Sequence, residues 1–331
     1  MTGYVSDETA QGIGRILGVE FVVTGQMRDI GRTRRFVASA IHVETARHAS
    51  VPRFDVRNDA ALLEIIAALR ERLVPAPAPV PMPVTGLVRV EGGTFRMDHA
   101  ARSVTVGSFY MGLHPVTQGQ WYDVMGTRPG FFDGRNAVNL ANWSVVPASP
   151  THDWRDLPVE QVSWFDAIEF CNRLSAMAGL TPAYTIAGVG NDRVVAWNRN
   201  ANGYRLPTEA EWEFAARGGN ACRGNFAFSG SDNAGEVAWY VGNSGGRTHP
   251  VGRLRPNALG LYDMGGNVFE WVWDWHGPYP NPAGTPLGTG RVRRGGGWLN
   301  SSEHVRSTTR ARGNPSAQLS ELGFRVARPL P

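Results

Sequence analysis

The chain has 331 residues, 42% of them hydrophobic, so it can bury a sizeable core and is too apolar for disorder throughout. Its net charge is only +4 and all 33 cationic residues are arginine, a compositional bias that disfavours global nucleic-acid binding. Two cysteines, Cys171 and Cys222, are too few for a disulfide scaffold or a thiolate metal site. No run approaches the roughly 20 apolar residues of a membrane span, and MTGYVSDETAQG lacks a charged-then-apolar leader, so the chain reads as soluble as it stands.

In chain order, Ser6 can cap a helix running to Leu17, with Gly18 as its stop. Phe21 to Gly25 reads as a buried strand and Arg34 to Thr45 as an alternating one. Ala60 to Leu73 places Leu62, Leu63, Ile66 and Leu69 at helical spacing, which completes a small α+β domain over 1–74. The proline-alternating run VPAPAPVPMPV predicts an extended linker over 75–85, and 86–331 forms a second domain. There, Val88 to Met97 reads as a strand kinked at Gly92 and Gly93, and SVTVGSFYMG as another. Pro115 closes that strand and a helix starts at Thr117. Ser163 with Asp166 caps a helix that puts Ala167, Phe170, Cys171 and Leu174 on one face. Thr208 with Glu211 caps another, which stops at Gly218. Beyond Gly219, glycine, asparagine and tryptophan predict loops and short strands.

Trp271, Trp273 and Trp275 alternate with Asp274 in a pattern that favours a core strand over an exposed aromatic platform. Glu209, Glu211 and Glu213 are separated by about 200° of helix between neighbours, so capping explains Glu211 better than catalysis does. His114 and His152 are isolated and read as structural. No Ser-His-Asp order, phosphate loop or zinc motif is present. Near the carboxyl end, Arg294 to Trp298 (RGGGW) and Gly323 to Arg325 (GFR) read as buried, backbone-constrained ends of a polar segment. Eight arginines between Arg291 and Arg328 face only Glu303 and Glu321, and read first as solvated surface charge.

The amino-terminal order SDETAQGIGRILGVEFVVTGQMRDIG followed by RFVASAIHVETA resembles the closing half of small α/β domains in bacterial envelope lipoproteins of the curli-secretion and penicillin-binding-protein-activator kinds. That resemblance implies scaffolding or assembly. VEGGTFRM, VTQGQWYDVM, DLPVEQVSWFDAIEFCNRLS, GYRLPTEAEWEFAARGG, NALGLYDMGGNVFEWVWDW, RVRRGGGW and LGFRVAR, in that order, resemble the formylglycine-generating enzyme (sulfatase-modifying factor) family over 86–329. The resemblance implies an α+β chain with an elaborated C-type-lectin-like fold and little regular secondary structure. The family's oxidases hold copper with two cysteines just after the Gly-Gly-aromatic turn, and those positions here are Asn300 and Val305. Neither supplies a thiolate, which serves as both the nucleophile and the soft ligand for Cu(I). The family also implies a structural calcium held through Asn267, Val268 and Glu270, although the same Glu could instead bond backbone amides. No cofactor is expected to be required.

The stretch from Arg291 to the end also resembles the variable region of retroelement-diversified proteins of the Treponema type, which use the same lectin-like fold. It implies a variable region over 291–331 and a ligand-binding patch of Trp298, Leu299, Asn300, Ser301, His304, Thr309, Ala311, Gly313, Ser316 and Leu319. Arg306, Arg310, Pro315 and Gly323 to Arg325 would belong to the unvarying frame, together with Trp298. Strand alternation would place Thr309, Ala311 and Gly313 on one face, a platform for recognition. The expectation is a non-catalytic ligand-binding protein whose partner is a protein or other macromolecule and not nucleic acid. The rivals are a metal-assisted oxidase drawing on Cys222 and a purely structural envelope protein. The address is the cell envelope or surface if a targeting segment lies outside this chain, and the cytoplasm otherwise.

Overall fold

Thr117, Ser163 and Thr208 each accept a hydrogen bond from the N–H three residues on, and the side chains of Gln120, Asp166 and Glu211 accept one from the cap residue's own N–H. These capping boxes open α1 (Gln118–Met125), α2 (Trp164–Met177) and α3 (Glu209–Ala216), and a one-turn α4 (Ala234–Val237) follows. The computed structural model describes residues 21–30, 33–42, 48–49, 54–55, 86–97, 103–147, 153–277 and 290–330. The chain divides into two compact units, Met1–Pro81 and Met82–Pro331. In the first, β1 (Phe21–Ile30) is antiparallel to β2 (Thr33–His42), and β3 (His48–Ala49) and β4 (Phe54–Asp55) both pair with β2. The first two overlap the two strands expected there. The helices expected at Ser6–Leu17 and Ala60–Leu73, and the proline-rich run up to Val84, lie outside the described residues.

In the second unit each of the first two expected strands is broken. Val88 to Met97 splits into β5 (Leu87–Val90) and β6 (Gly93–Arg96), and SVTVGSFYMG into β7 (Ser103–Val106) and β8 (Phe109–Gly112). β5 pairs with β8 and β6 with β7, so one long hairpin bends in the middle. The bend needs glycine, because a Cβ on Gly92 would lie 2.6 Å from the Val106 carbonyl oxygen. β9 (Asn136–Asn139) with β10 (Ser144–Pro147), and β11 (Tyr184–Ala187) with β12 (Val194–Trp197), form two further hairpins.

The central sheet contains β13 (Phe269–Trp275), β14 (Arg291–Arg294), β15 (Arg310–Gly313) and β16 (Leu322–Phe324) in the order β15-β14-β13-β16, with β16 parallel to β13. β17 (Ala327–Pro329) joins β8 and β5 in a separate sheet, which unites the first and last strands of this unit. Both faces of the central sheet are covered. Trp271 and Phe324 share a cluster with Ile168, Cys171 and Leu174 of α2, while Val272 and Val292 pack with Trp212 and Ala215 of α3. Trp271 is fully buried as a core residue, whereas Trp273 and Trp275 are half-buried. The unit is α+β, with short elements joined by long irregular segments.

Where β16 crosses the segment before α2, a Cβ on Gly323 would sit 2.2 Å from the Val159 carbonyl oxygen. That oxygen is backbone and cannot swing aside. Gly323→Ala is expected to cost about 2 kcal/mol of stability, read as a lower urea midpoint with an unchanged slope.

Candidate functional site

Arg294 ends β14 and is completely buried. Its guanidinium pairs with Glu213 of α3 and donates to the carbonyls of Ser307, Thr308 and Thr309 at 3.3, 2.9 and 2.6 Å. One turn earlier on α3, Glu209 accepts from Nε and Nη2 of Arg310 at 2.9 and 3.0 Å. Glu209 and Glu213 stand four residues apart on one helical face, so α3 grips the chain just before β15 and at its first residue. Glu211, pointing elsewhere, takes Arg205 through two bonds of 2.7 Å. Local sequence does not reveal Glu209 and Glu213 as anchors. Their four-residue spacing was visible, but their partners lie 101 and 81 residues away.

Between these anchors the backbone is set by contacts from outside the segment. Gly296 has φ 72°, and a Cβ there would meet the His304 carbonyl oxygen at 2.3 Å. The Val241 N–H donates to the Asn300 carbonyl at 2.9 Å, and the Ser307 N–H donates to that of Ala227 at 3.2 Å. Asn300 Oδ1 accepts from the Gly297 N–H at 2.8 Å and closes the glycine turn. Val305 is fully buried with Phe228, Val237 and Ala238. Asn300 and Val305, the positions expected to correspond to the family's thiols, are thus a turn-closing carboxamide and an apolar plug.

The expected patch is divided by this arrangement. Ser301 and His304 are exposed, with Ser301 Oγ and His304 Nδ1 2.9 Å apart, and so are Glu303 and Arg306. Arg306, expected in the unvarying frame, is exposed. Leu299, Asn300, Thr309 and Ser316 are half-buried and Leu319 is exposed. Trp298 is buried, its indole donating to the Ser320 carbonyl at 3.0 Å and its ring edge-on to Phe132. Ala311 packs on the α2 cluster, and a Cβ on Gly313 would lie 2.4 Å from the Trp271 ring. The platform expected from Thr309, Ala311 and Gly313 is corrected accordingly. Ala311 and Gly313 of β15 are turned to the core, Arg312 of the same strand is exposed, and the other outward side chains lie in the turns on either side.

The proposed calcium ligands are engaged with protein groups. Asn267 Oδ1 accepts from the His249 N–H at 3.0 Å, and its Nδ2 donates to the His249 carbonyl at 2.9 Å. Both oxygens of Glu270 accept from Arg325 at 2.7 Å, and Oε2 also accepts from Trp212 Nε1 at 2.7 Å. A guanidinium neutralises the charge that a divalent cation would need. The side-chain oxygens of Asn267 and Glu270 are thus committed to protein donors, and among the described residues no group of three or more His, Cys, Asp or Glu is placed to hold a metal ion.

The other titratable groups have structural surroundings. Glu160 is fully buried, with Oε1 accepting from the Phe132 N–H at 2.8 Å, and burial raises its carboxyl to about 8. Burial likewise pushes the Cys171 thiol up and the His114 imidazole down. Cys222 is half-buried and its thiol donates to the Gly224 carbonyl at 3.1 Å. His152 lies outside the described residues.

Comparison with known proteins matches residues 73–330 to the sulfatase-modifying factor enzyme 1-like domain. Over 273 residues the chain is 39% identical to the chaperone protein LppX of Paenibacillus barcinonensis, covering 73% of this chain and 89% of that protein. It is 29% identical over 292 residues to the formylglycine-generating enzyme of Streptomyces coelicolor, covering 76% of this chain and 92% of the enzyme. Among solved structures, Treponema denticola variable protein 1 superposes with a TM-score of 0.63 at 31% identity, covering 74% of this chain and 95% of that one. The chain belongs to the family of sulfatase-modifying factor enzyme 1-like domains.

Proposed function

We propose that the chain is a non-catalytic ligand-binding protein whose binding surface lies in the turns flanking β15, around residues 299–306 and 314–319, and is diversified by a retroelement. The observation that carries this reading is a segment whose backbone is fixed from outside, by Arg294, Val241 and Ala227, while Ser301, Glu303, His304 and Arg306 point into water. Such a segment can change its side chains without changing its course. The likeness to the Treponema variable protein supports it, as do Asn300 and Val305 at the thiol positions. The partner is a protein or other macromolecule rather than nucleic acid, and display at the cell envelope or surface suits that role. Among the described residues no helix is long and apolar enough to cross a membrane.

The rival reading, an oxidase of the formylglycine-generating type with an altered metal site, draws on the likeness to the Streptomyces enzyme. Cu(I) titration with oxygen-uptake measurement separates the two. No turnover and no stoichiometric copper are expected, and stoichiometric copper with sustained uptake would favour the oxidase. A Ser301→Ala, His304→Ala, Arg306→Ala triple variant is expected to melt within about 2 °C of the parent, because surface side chains off the framework contribute little. A much larger fall would show that these side chains hold the segment in place.

A further inference from the structure

The β9–β10 hairpin concentrates two unfavourable features at one residue. Trp143, at its tip, has left-handed backbone with φ 56° and leaves 66% of its surface in water. The left-handed region costs an L residue about 1–2 kcal/mol, and Trp143 stacks on no aromatic ring or cation among the described residues. Nor is the tip loose. The Trp143 N–H donates to the Asn139 carbonyl at 2.7 Å, Asn139 Oδ1 accepts from the Ala141 N–H at 3.0 Å, and Asn142 Oδ1 accepts from the N–H and Oγ of Ser144 at 3.1 and 2.8 Å. A large ring is thus held out on a stiff support, which is how an aromatic anchor is prepared for a partner.

The hairpin is fastened beside the carboxyl-terminal turn. The Val138 N–H donates to the Gly246 carbonyl at 2.8 Å, and nearby Ser244 Oγ donates to the Trp298 carbonyl at 2.9 Å. Val138 and Leu140 pack with Leu299 around Phe132 and Trp298. Val241, whose N–H holds the Asn300 carbonyl, is itself 39% exposed.

We infer that Trp143 is a fixed aromatic contact of the binding surface, set beside its changeable segment, and that the occupant is a folded protein offering an apolar socket for the indole. This rests on the binding role proposed above for residues 299–306. A small ligand needs a concave site, whereas residues 141–145 are all exposed on a protruding tip. An exposed Trp, a part-exposed Val241 whose N–H holds Asn300, and the exposed polar Ser301, Glu303 and His304 that follow Asn300 have the make-up of a protein interface.

Trp143→Asn tests the inference, since asparagine tolerates left-handed backbone. Its melting temperature is expected to equal or exceed that of the parent. A fall of more than about 4 °C would mean that the ring supports the fold and would overturn the inference. Single-domain antibodies selected from a displayed library on the full chain then serve as protein probes, because such binders also favour rigid exposed anchors. Clones that lose at least tenfold affinity on a Leu299→Ser, His304→Ser double variant are expected to lose at least tenfold on Trp143→Asn. If those clones bind Trp143→Asn within twofold of the parent, the inference fails. Clones that need Trp143 but ignore the double variant would keep the anchor and sink the binding segment, so the two failures are distinguishable. Binding of the parent to a glycan array, lost in Trp143→Asn, would replace the protein occupant with a sugar and overturn the assignment.

Discussion

Arg294→Met is expected to destabilise the second unit by about 3 kcal/mol, measured by urea unfolding, because Glu213 loses the buried guanidinium at Oε2 and keeps only Arg217, which pairs with Oε1 at 2.8 Å. That is a large share of the stability of an ordinary domain. Part of the loss has a second origin, since the carbonyls of Ser307, Thr308 and Thr309 lose their shared donor. The two contributions can be separated. Adding Glu213→Leu to Arg294→Met removes the buried carboxylate together with its pair to the partly exposed Arg217 and should recover part of the stability, but it restores no donor to the three carbonyls. Amide hydrogen exchange over residues 299–309 should therefore remain faster than in the parent in both variants. If exchange there returned to the parent rate in the double variant, Arg294 would be an ion-pair partner and not a clamp on the segment.

Stability is expected to fall as pH rises from about 4.5 toward 8, with Glu160 as the largest single cause. In the folded chain this carboxyl keeps its proton to about pH 8, while in the unfolded chain it ionises near 4.5. Between those values the folded state binds the extra proton, so raising the pH favours unfolding. A gap from 4.5 to about 8, at about 1.4 kcal/mol per pH unit, sets an upper limit near 5 kcal/mol. Asp274, raised by burial to about 7, and Asp263, raised to about 6, act in the same direction over narrower ranges. Glu160→Gln keeps an acceptor for the Phe132 N–H and cannot ionise. Its melting temperature should drop less between pH 5.5 and 8.5 than that of the parent. Identical pH slopes for parent and variant would place the proton uptake elsewhere.

The features legible in the sequence are those in which cause and effect are near neighbours or in which glycine reports a close approach. Ser163 with Asp166 and Thr208 with Glu211 announce their helices because a capping box closes within four residues. RGGGW and GFR announce a buried frame because Gly297 lies against Glu321 and Gly323 against Val159. Strand alternation correctly separated Ala311 and Gly313 from Arg310 and Arg312, but alternation cannot tell that helices cover both faces of a sheet. Glu270 resembled a calcium ligand, and its partner Arg325 lies 55 residues further along. Nothing local pairs them. The same distance hid the grip of Glu209 and Glu213 on the carboxyl-terminal segment.

β16 and β17 follow the exposed segment in the chain, yet β16 lies beside β13 in the central sheet and β17 lies beside β8 in the sheet that also holds β5. A ribosome that stops or slips out of frame anywhere in residues 299–306 thus releases a chain lacking strands from two sheets and lacking Arg325, the buried partner of Glu270. Such a product exposes strand edges and core, and proteolysis would remove it. Because the closing strands follow the exposed turn at 299–306, completion of the fold becomes a check that the whole carboxyl-terminal segment was translated in frame.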